Sequence, residues 1–529
     1  MNKFKYLVLI AVLAFNTISC KKTLDLAPED YFGSNSFWEN EAQVTNFMSG
    51  IHTQFRNQQF QFYRLGEMRG GGLSNVDRQN TSLNELPIIQ QDLSENSTGI
   101  GSWAGFYGPI LQINLFIQEV EKITFIAEPR RNYLLGQAYG LRAYYYFHLL
   151  RTYGGVPIRI EPEVSNGKTD PVELRKARAT EAEVLALIKD DVNKSITLFA
   201  GAASPADKSL WSPGASQMLK GEAYLWSAKV YNATADLAEA KTALNAVTGT
   251  SLLTGTAASF ANVFKQKNNN EIIFAIRYNV GEAEMPSYGA FLYSTFNFDG
   301  QHYKDSTASA GAGNFLVDPL KIAQTNSQQI IQRYAYTFDL FQTYQLADNR
   351  RNATFYDYYK VNTAVNPRQV TIRNTALVKF IGPDAATTTN KKYFSDDWSV
   401  YREADRLLML AEITNAEGGD PATYIKTIRD RAFAPAADPT PFVSGSKDAN
   451  ELAIFSERSK EFVYEGKRWY DLRRMKFGTE PLVFNSASHP YGVLTKGTES
   501  HMILWPIEPA IWTNDPLVNQ TPGYATTKP

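Results

Sequence analysis

The sequence predicts a mainly α-helical protein, built on a tetratricopeptide-like helical-repeat scaffold with loop-rich insertions and a few short strands. Apolar residues recur at helical spacing along most of the chain, which is typical of amphipathic helices packed on a core. Several stripes place alanine one or two turns from a large side chain, and small residues let neighbouring helices approach closely. The stripes are Phe37, Val44, Phe47, Ile51 and Phe55; Leu134, Ala138, Leu141, Tyr145 and Leu149; Val184, Leu187, Ile188 and Val192; Leu219, Ala223, Trp226 and Val230; and Ala404, Leu407, Leu408 and Ala411.

The segments between the predicted helices are loop-rich and hold few strand signals. Gly, Ala, Thr and Asn dominate residues 249–262, 304–314, 361–392 and 434–449. Loops this long inside a compact domain are usually functional or mobile. Strand-like runs occupy residues 271–278, 374–380 and 501–506. No clear linker divides the chain, so we expect residues 37–529 to form a single helical domain that carries ligand-binding loops.

Composition excludes several classes of function. The formal net charge is −1 over 529 residues, without the basic excess that phosphate binding requires, so we expect no nucleic-acid partner. A single cysteine, Cys20, excludes a disulfide framework and a thiolate metal site within the chain. The histidines are scattered without a helical i, i+4 pair, so we expect no metal site and no cofactor. They are His52, His148, His302, His489 and His501.

The first twenty residues are typical of an export signal. Lys3 and Lys5 precede an apolar run at residues 6–15, which is too short to span a membrane. The sole cysteine follows directly after the small Ser19. This pattern predicts a lipoprotein signal peptide at residues 1–19, lipidation of Cys20, and a lipidated tether over residues 20–36. The alternative is an ordinary signal followed by a chance free thiol, since Thr17 stands where a bulky aliphatic is usual.

Five blocks, in order, resemble the SusD-like (RagB/SusD) family. They are residues 137–157 (QAYGLRAYYYFHLLRTYGGVP), 398–418 (WSVYREADRLLMLAEITNAEG), 424–432 (YIKTIRDRA), 451–474 (ELAIFSERSKEFVYEGKRWYDLRR) and 504–524 (LWPIEPAIWTNDPLVNQTPGY). The fourth is similar to the family pattern Glu-Arg-x-x-Glu-Phe…Glu-Gly-x-Arg-Trp-x-Asp-Leu-x-Arg. The chain departs from the family patterns at Asp405, Glu508 and Thr521, where Glu, Pro and Asn are usual.

The resemblance implies a tetratricopeptide-like scaffold with a variable ligand face. It also implies a surface lipoprotein of the cell outer membrane, lipid-anchored and outward-facing, which binds a nutrient glycan. Such a protein delivers its oligosaccharide to a partner SusC-like TonB-dependent transporter, over which it sits as a hinged lid. The family is not known for catalysis, so we expect no enzyme activity. Some members handle peptides, so a peptide ligand is the first alternative, and a surface glycosidase is a weaker one.

Three glutamates in the fourth block raise the question of catalysis. Glu457, Glu461 and Glu465 are spaced by four, so they share one helical face if the helix continues that far. A pair of such carboxylates could serve glycoside hydrolysis. The alternative, which the resemblance favours, is an Arg–Glu network that ties helices together. The candidate partners are Arg429, Arg431, Arg458 and Arg468.

The ligand face is expected in two segments that, in relatives, lie near the binding surface. Sugars stack their C–H faces on aromatic rings and pair their hydroxyls with Asn, Asp and Arg. Residues 69–78 (RGGGLSNVDR) and 288–303 (YGAFLYSTFNFDGQHY) supply that mixture. The predicted ligand residues are Arg69, Asn75, Asp77, Arg78, Tyr293, Phe296, Asn297 and Tyr303. The alternative is that these loops contact the transporter.

Overall fold

The computed structural model is mainly α-helical, as predicted. It describes residues 37–75, 85–100, 102–286, 293–294, 302–303, 320, 331–332, 334–362, 369–384 and 392–524. The helices in these ranges are α1 (Glu41–Asn57), α2 (Gln59–Glu67), α3 (Leu86–Ile89), α4 (Ala104–Val120), α5 (Glu128–Tyr153), α6 (Glu181–Leu198), α7 (Pro213–Val230), α8 (Asp236–Ala246), α9 (Ala257–Lys265), α10 (Phe338–Gln342), α11 (Asn349–Thr354), α12 (Glu403–Ala416), α13 (Ala422–Phe433), α14 (Lys447–Glu461), α15 (Arg468–Arg474) and α16 (Pro509–Asn514). Each of the five apolar stripes lies in a helix there, except for Phe37, which precedes α1.

Helices adjacent in sequence pack on one another, which is the packing expected of a helical-repeat scaffold. The helix α5 contacts both α4 and α6, α7 contacts α6 and α8, and α12 contacts α13 and α14. Local signals set the helix ends: Asn40 and Thr180 each form a capping box at the start of α1 and α6. Gly154, at φ 74°, ends α5, because a residue with a side chain is strained in that conformation.

Glycines on α5 allow a neighbouring indole to pack against the backbone of this helix. The helix is buried from Leu134 to Tyr153. A Cβ added to Gly140 would lie 2.0 Å from Nε1 of Trp211, so no larger residue fits there. Gly136 faces the ring of Phe199 in the same way, with a Cβ distance of 3.1 Å. Glycines on α5 thus let the side chains that flank α6 and α7 approach the central helix closely.

The strands are short and form small antiparallel sheets. They are β1 (Leu73–Asn75), β2 (Ile272–Ile276), β3 (Tyr293–Ser294), β4 (His302–Tyr303), β5 (Ile331–Gln332), β6 (Tyr334–Tyr336), β7 (Phe355–Asn362), β8 (Gln369–Leu377), β9 (Trp398–Arg402), β10 (Lys476–Phe477) and β11 (Glu480–Pro481). Their pairings are β1–β6, β2–β9, β3–β5, β4–β7–β8 and β10–β11. The predicted strand at 271–278 is confirmed as β2, and the prediction at 374–380 overlaps the end of β8.

Two sequence expectations about local structure are wrong. The run at 501–506 is not a strand, since Ser500–Ile503 forms a 3₁₀ helix. The N–H of Trp505 then donates to the carbonyl of Thr152 at the end of α5 (2.8 Å), so the segment packs on a helix instead of pairing with a strand. The presumed loop at 249–262 contains the start of α9, and the one at 361–392 contains β8.

The start of the described chain packs directly on its last quarter. The helix α2 contacts α15, and a Cβ on Gly66 would lie 1.7 Å from the carbonyl oxygen of Gly466. The buried Glu67 accepts hydrogen bonds from the backbone N–H groups of Tyr464 and Lys467, both at 3.2 Å. Nε of Arg468 donates to the carbonyl of Gly70 (2.7 Å). Residues about 400 positions apart therefore close one core.

Candidate functional site

The two segments predicted to form the ligand face meet in one group of strands. In the first segment, β1 pairs with β6, with Asn75 opposite Tyr334. In the second, β3 pairs with β5, which ends two residues before β6 begins. The strand β4 pairs with β7, and β8, the partner of β7, packs against β6. Strands β1 and β3–β8 thus form one region, which we call the strand cluster.

Three of the predicted ligand residues have their backbone in the strand cluster. Asn75 ends β1, Tyr293 starts β3 opposite Gln332, and Tyr303 ends β4 opposite Tyr359. Asp77, Arg78, Phe296 and Asn297 lie outside the described residues. The structure therefore brings the two predicted segments together at the level of the backbone, and the ligand contacts themselves stay predictions.

Two tyrosines of the strand cluster form hydrogen bonds with glutamates of the helical body. Tyr336, in β6, donates its hydroxyl to Oε1 of Glu67 (3.1 Å). Burial raises the pKa of Glu67, although its hydrogen bonds from Tyr464 and Tyr336 oppose the rise. The neighbouring Tyr334 donates to Oε2 of Glu85 (3.3 Å). These contacts join β6 to α2 and to the segment before α3, so they fix the position of the cluster on the helical body.

Arg69 is the predicted ligand residue whose side chain is described, and that side chain is wholly buried. Its guanidinium carbon lies 4.2 Å from the ring centroid of Trp469 and 5.3 Å from that of Trp505. Its Nε donates to Oε1 of Gln91 (2.8 Å). Burial lowers the pKa of Arg69 to about 9. The structure thus places Arg69 beneath the surface, where it supports the chain entering β1, and a contact with ligand stays a prediction.

The glutamates of the fourth block form a buried ion-pair network. Glu461 pairs with Arg402 (2.7 Å), with Arg350 (3.2 Å) and with Arg431. Glu465 pairs with Arg402 (2.7 Å) and Lys379 (2.5 Å). The whole network holds six cations and six carboxylates, so its charges balance. Its members are Arg350, Lys379, Arg402, Arg429, Arg431 and Lys460 with Glu271, Asp348, Asp438, Glu457, Glu461 and Glu465.

This geometry supports the structural interpretation of the three glutamates. Their side chains are at most 4% exposed, and each contacts a cation. Burial alone would raise the pKa of Glu457, but the charges of Arg350 and Lys460 outweigh it and lower the pKa to about 2. A general acid for glycoside hydrolysis needs a raised pKa and access to substrate. Glu457 has the opposite properties.

The expected details of this network are partly wrong. The helix α14 ends at Glu461, and Tyr464 has a φ of 64°, so Glu465 reaches the network from a turn. Arg429 and Arg431 pair with the glutamates as expected. Arg458 instead pairs with Asp405 and Asp471, because α12 and α15 offer nearer carboxylates. The sequence analysis did not identify three further cationic partners of the glutamates, which are Arg350, Lys379 and Arg402.

Arg458 belongs to a second network of four cations and four carboxylates, in which Lys229 joins α7 to α12, α14 and α15. Arg474 pairs with Glu412 and Asp471, both at 2.9 Å. Asp405, where the family usually has Glu, accepts from Arg458 (3.0 Å) and Lys467 (2.7 Å). Burial would raise the pKa of Asp405, but these two cations lower it to about 2. Both networks therefore have a structural role, since they connect the helices formed by the blocks that resemble the family patterns.

The described part of the chain offers no metal centre and no membrane span. No group of three or more His, Cys, Asp or Glu side chains in it is arranged to hold a metal ion. No helix within the described ranges is long and apolar enough to cross a membrane.

The fold defines a class: a mainly helical protein with loops and short strands inserted on the helical scaffold. The SusD family model matches residues 270–524, and a family described as starch-binding and associating with the outer membrane matches residues 24–212. A SusD superfamily protein of Bacteroides fragilis is 36% identical, with a TM-score of 0.80 over 92% of this chain and 100% of the other. The chain therefore belongs to the SusD/RagB family, whose glycan-binding proteins are non-catalytic and associate with the outer membrane.

Other relatives extend over nearly the whole chain. Bacteroides fragilis NanU is 29% identical, with a TM-score of 0.78 over 95% of this chain and all of its own. SusD-like protein P38 of Formosa agariphila is 24% identical over 99% of this chain and 100% of its own. Surface glycan-binding protein A of Bacteroides uniformis shares the fold, with a TM-score of 0.65 at 20% identity.

Proposed function

We propose that this protein is a surface-exposed, lipid-anchored outer-membrane protein that binds a nutrient oligosaccharide and delivers it to a SusC-like TonB-dependent transporter. The observation that carries the ligand-binding part is the convergence of residues 73–75, 293–294 and 302–303, the described strands of the two segments, in the strand cluster. The two segments are more than 200 residues apart in sequence, yet β1 and β3 both join the β5–β6 segment. A site assembled from distant loops on a rigid body is a common arrangement for ligand recognition.

The residue types in the strand cluster suit a carbohydrate. The register places Tyr303 opposite Tyr359, and Asn75 opposite Tyr334. Aromatic rings provide flat apolar surface for the C–H faces of a sugar, and amide and carboxylate groups bind its hydroxyls. The glycan-binding character of the family supports the same ligand class, as does the similarity to the surface glycan-binding protein A of Bacteroides uniformis.

The anchor part of the proposal rests on the beginning of the sequence. Residues 1–19, Cys20 and the tether at 20–36 lie outside the described residues. The outer-membrane family model begins to match at residue 24, four positions after Cys20, where the mature chain would begin. Acylation of Cys20 would supply an anchor of several acyl chains, which holds a protein at a membrane stably. The transporter partner is inferred from family membership.

Binding of the protein without residues 1–20 to a panel of oligosaccharides and peptides, measured by calorimetry with a product assay on each mixture, tests this function. We expect saturable binding of at least one oligosaccharide without turnover. Tyr303→Ala and Asn75→Ala should weaken that binding about ten-fold or more, since losing a stacking ring or a hydrogen bond costs about 1–3 kcal/mol. The matched control is Phe125→Ala, which removes an exposed ring (49%) between α4 and α5.

Each outcome decides between the candidates. Binding of peptides and not of sugars would contradict the glycan proposal and establish the peptide alternative. Cleavage of a bound oligosaccharide would contradict a non-catalytic role. Equal loss of affinity in Phe125→Ala and Tyr303→Ala would show that the ligand does not bind at the strand cluster. Delivery is tested by purifying the tagged full-length protein from outer membranes, where we expect a TonB-dependent barrel to co-purify.

A further inference from the structure

A cavity of about 540 Å³ lies between the end of α5, the start of α6, the end of α7 and residues 500–522. Its volume falls within the range of about 300–1,000 Å³ that is typical of small-molecule sites. Its polar lining includes Arg178, Glu181, Tyr231, Arg473, Ser500 and His501. None of the residues predicted to form the ligand face lines it. We call it the tail cavity.

Arg473 presents a buried cation to the tail cavity without a carboxylate partner. The residue is 7% exposed, and its guanidinium carbon lies 5.1 Å from the ring centroid of Trp226 and 5.9 Å from that of Trp469. Its Nη1 donates to the carbonyl of Arg151, and its buried Nε has no hydrogen-bond partner within the described chain. Burial lowers the pKa of Arg473 to about 10. Hydrogen-bonding capacity is therefore left over on this side chain.

A second guanidinium in the cavity wall is bound to neutral oxygen atoms. Arg178 donates to the carbonyls of Gly155 (2.7 Å), Asn519 (2.9 Å) and Tyr153, and to the hydroxyl of Thr521 (3.5 Å). Burial lowers the pKa of Arg178, and Glu181 opposes this effect through its charge. No ion pair within 4.0 Å joins Glu181 to either arginine in the described structure. The cavity wall thus holds two cations and one carboxylate, and its cations are not paired.

Buried charges are costly unless they are paired, and most buried guanidinium groups of the described chain are paired with carboxylates. Arg473 is an exception that lines a cavity, whereas Arg69, which also has no ion pair among the described residues, is enclosed beneath the surface. Arg402 contacts three carboxylates and Arg474 contacts two. Arg473 stands next to Arg474, at an unspecified position of the family pattern Trp-x-Asp-Leu-x-Arg. Its unpaired charge is therefore not part of the shared motif.

We infer that the tail cavity is a second ligand site and that it binds a sugar acid, with the carboxylate of the ligand held by Arg473 on the side nearest Arg178. A carboxylate supplies the acceptor oxygens and the negative charge that this wall lacks. The hydroxyls of Tyr231 and Ser500, the imidazole of His501 and the carboxylate of Glu181 supply donors and acceptors for the sugar hydroxyls. This inference does not rest on the strand cluster, which is separate from the cavity.

The test is calorimetric titration of the protein without residues 1–20 with sodium D-glucuronate, and with D-glucose as the neutral match. We expect saturable binding of glucuronate, at least about ten-fold tighter than that of glucose, because hydrogen bonds to a charged group are stronger than those between neutral groups. Arg473→Gln should weaken glucuronate binding about ten-fold or more. Glu181→Gln removes a like charge from the cavity and should tighten it, about three-fold or more.

The two variants are expected to change glucuronate affinity in opposite directions, and a general loss of folding would not produce that result. Because Arg473 stacks on two indoles, the melting temperature of Arg473→Gln is measured beside its affinity, while Glu181→Gln tests the same electrostatics without removing a stacked group. Absence of glucuronate binding, equal affinity for glucose, or no tightening in Glu181→Gln would each overturn the inference. Tyr303→Ala should leave glucuronate affinity unchanged, so failure here and failure of the oligosaccharide test are distinguishable.

Discussion

Replacing Glu461 with glutamine removes one negative charge from the larger buried network and keeps the shape of the side chain. Glu461 is wholly buried and contacts Arg402, Arg350 and Arg431. Because the network holds equal numbers of cations and carboxylates, the variant leaves one unbalanced positive charge in the core. Breaking a buried pair in this way costs about 3–5 kcal/mol. That loss is a large part of the 5–15 kcal/mol that typically separates folded from unfolded protein.

Urea denaturation followed by tryptophan fluorescence and circular dichroism measures the loss. We expect the midpoint to fall sharply, with an unchanged slope if the unfolded state is unaltered. Asp430→Asn is the matched control, since Asp430 and Lys426 form an exposed i, i+4 pair with side chains 53% and 67% exposed. Such a pair contributes about 0.3–0.5 kcal/mol.

The double variant Arg431→Gln/Glu461→Gln sharpens the experiment, because it restores the balance of charge. We expect its loss of stability to be smaller than the sum of the two single losses, since contacting residues in one network are not additive. A Glu461→Gln protein within about 1 kcal/mol of the wild type would refute the reasoning from buried charge. An additive double variant would show that Arg431 and Glu461 act independently.

Three further outcomes are expected. The folded-state pKa values of Glu457 and Asp405, about 2, lie below their ordinary 4.5 and 3.8, so stability should be complete above about pH 4.5 and fall as the pH drops toward 2, measured by urea midpoints. Gly66→Ala should unfold the protein or lower its melting temperature strongly, because the new Cβ would lie 1.7 Å from the carbonyl oxygen of Gly466. Cys20→Ser should move the protein from the membrane to the soluble fraction on cell fractionation.

The helices could be predicted because their signals are local. The stripe from Leu134 to Leu149 and the capping residue Thr180 each lie within a few turns of the structure that they specify. Whether the helix continues to Glu465 stayed open in the sequence, because Tyr464 adopts a left-handed conformation without being glycine. That conformation is held by tertiary contacts, including the hydrogen bond from its N–H to Glu67.

The ion-pair networks could be predicted in kind and not in detail. The spacing of the glutamates indicated that they need cations, yet Arg402 comes from β9 and Lys379 from the turn after β8. Their pairing with Glu465 depends on how separate elements pack, and spacing carries no information about that. One local signal was available in the sequence, since Arg402 directly follows the strand run WSVY. In the structure its side chain is wholly buried.

For the candidate site too, the local sequence indicated the segments, and the nonlocal packing could not be predicted. The residue types in 69–78 and 288–303 identified two suitable segments. They are joined through β5 and β6, and the β1–β6 pairing connects residues about 260 positions apart. Register between such distant strands is decided by the assembled core, so Asn75 opposite Tyr334 could not be derived from either segment alone. The tail cavity is also nonlocal, since its wall combines residues from 153 to 522.

The closure between α2 and the segment at 464–468 has a consequence for the order of folding. Contacts between residues some 400 positions apart are entropically costly to form, and chains that depend on them fold slowly. Until residues near Gly466 are available, the surfaces around Gly66 and Glu67 have no native partner. A chain that crosses a membrane before it folds, as its predicted signal implies, benefits from this delay. Late closure of the contact between Gly66 and Gly466 is therefore compatible with the export that residues 1–19 predict.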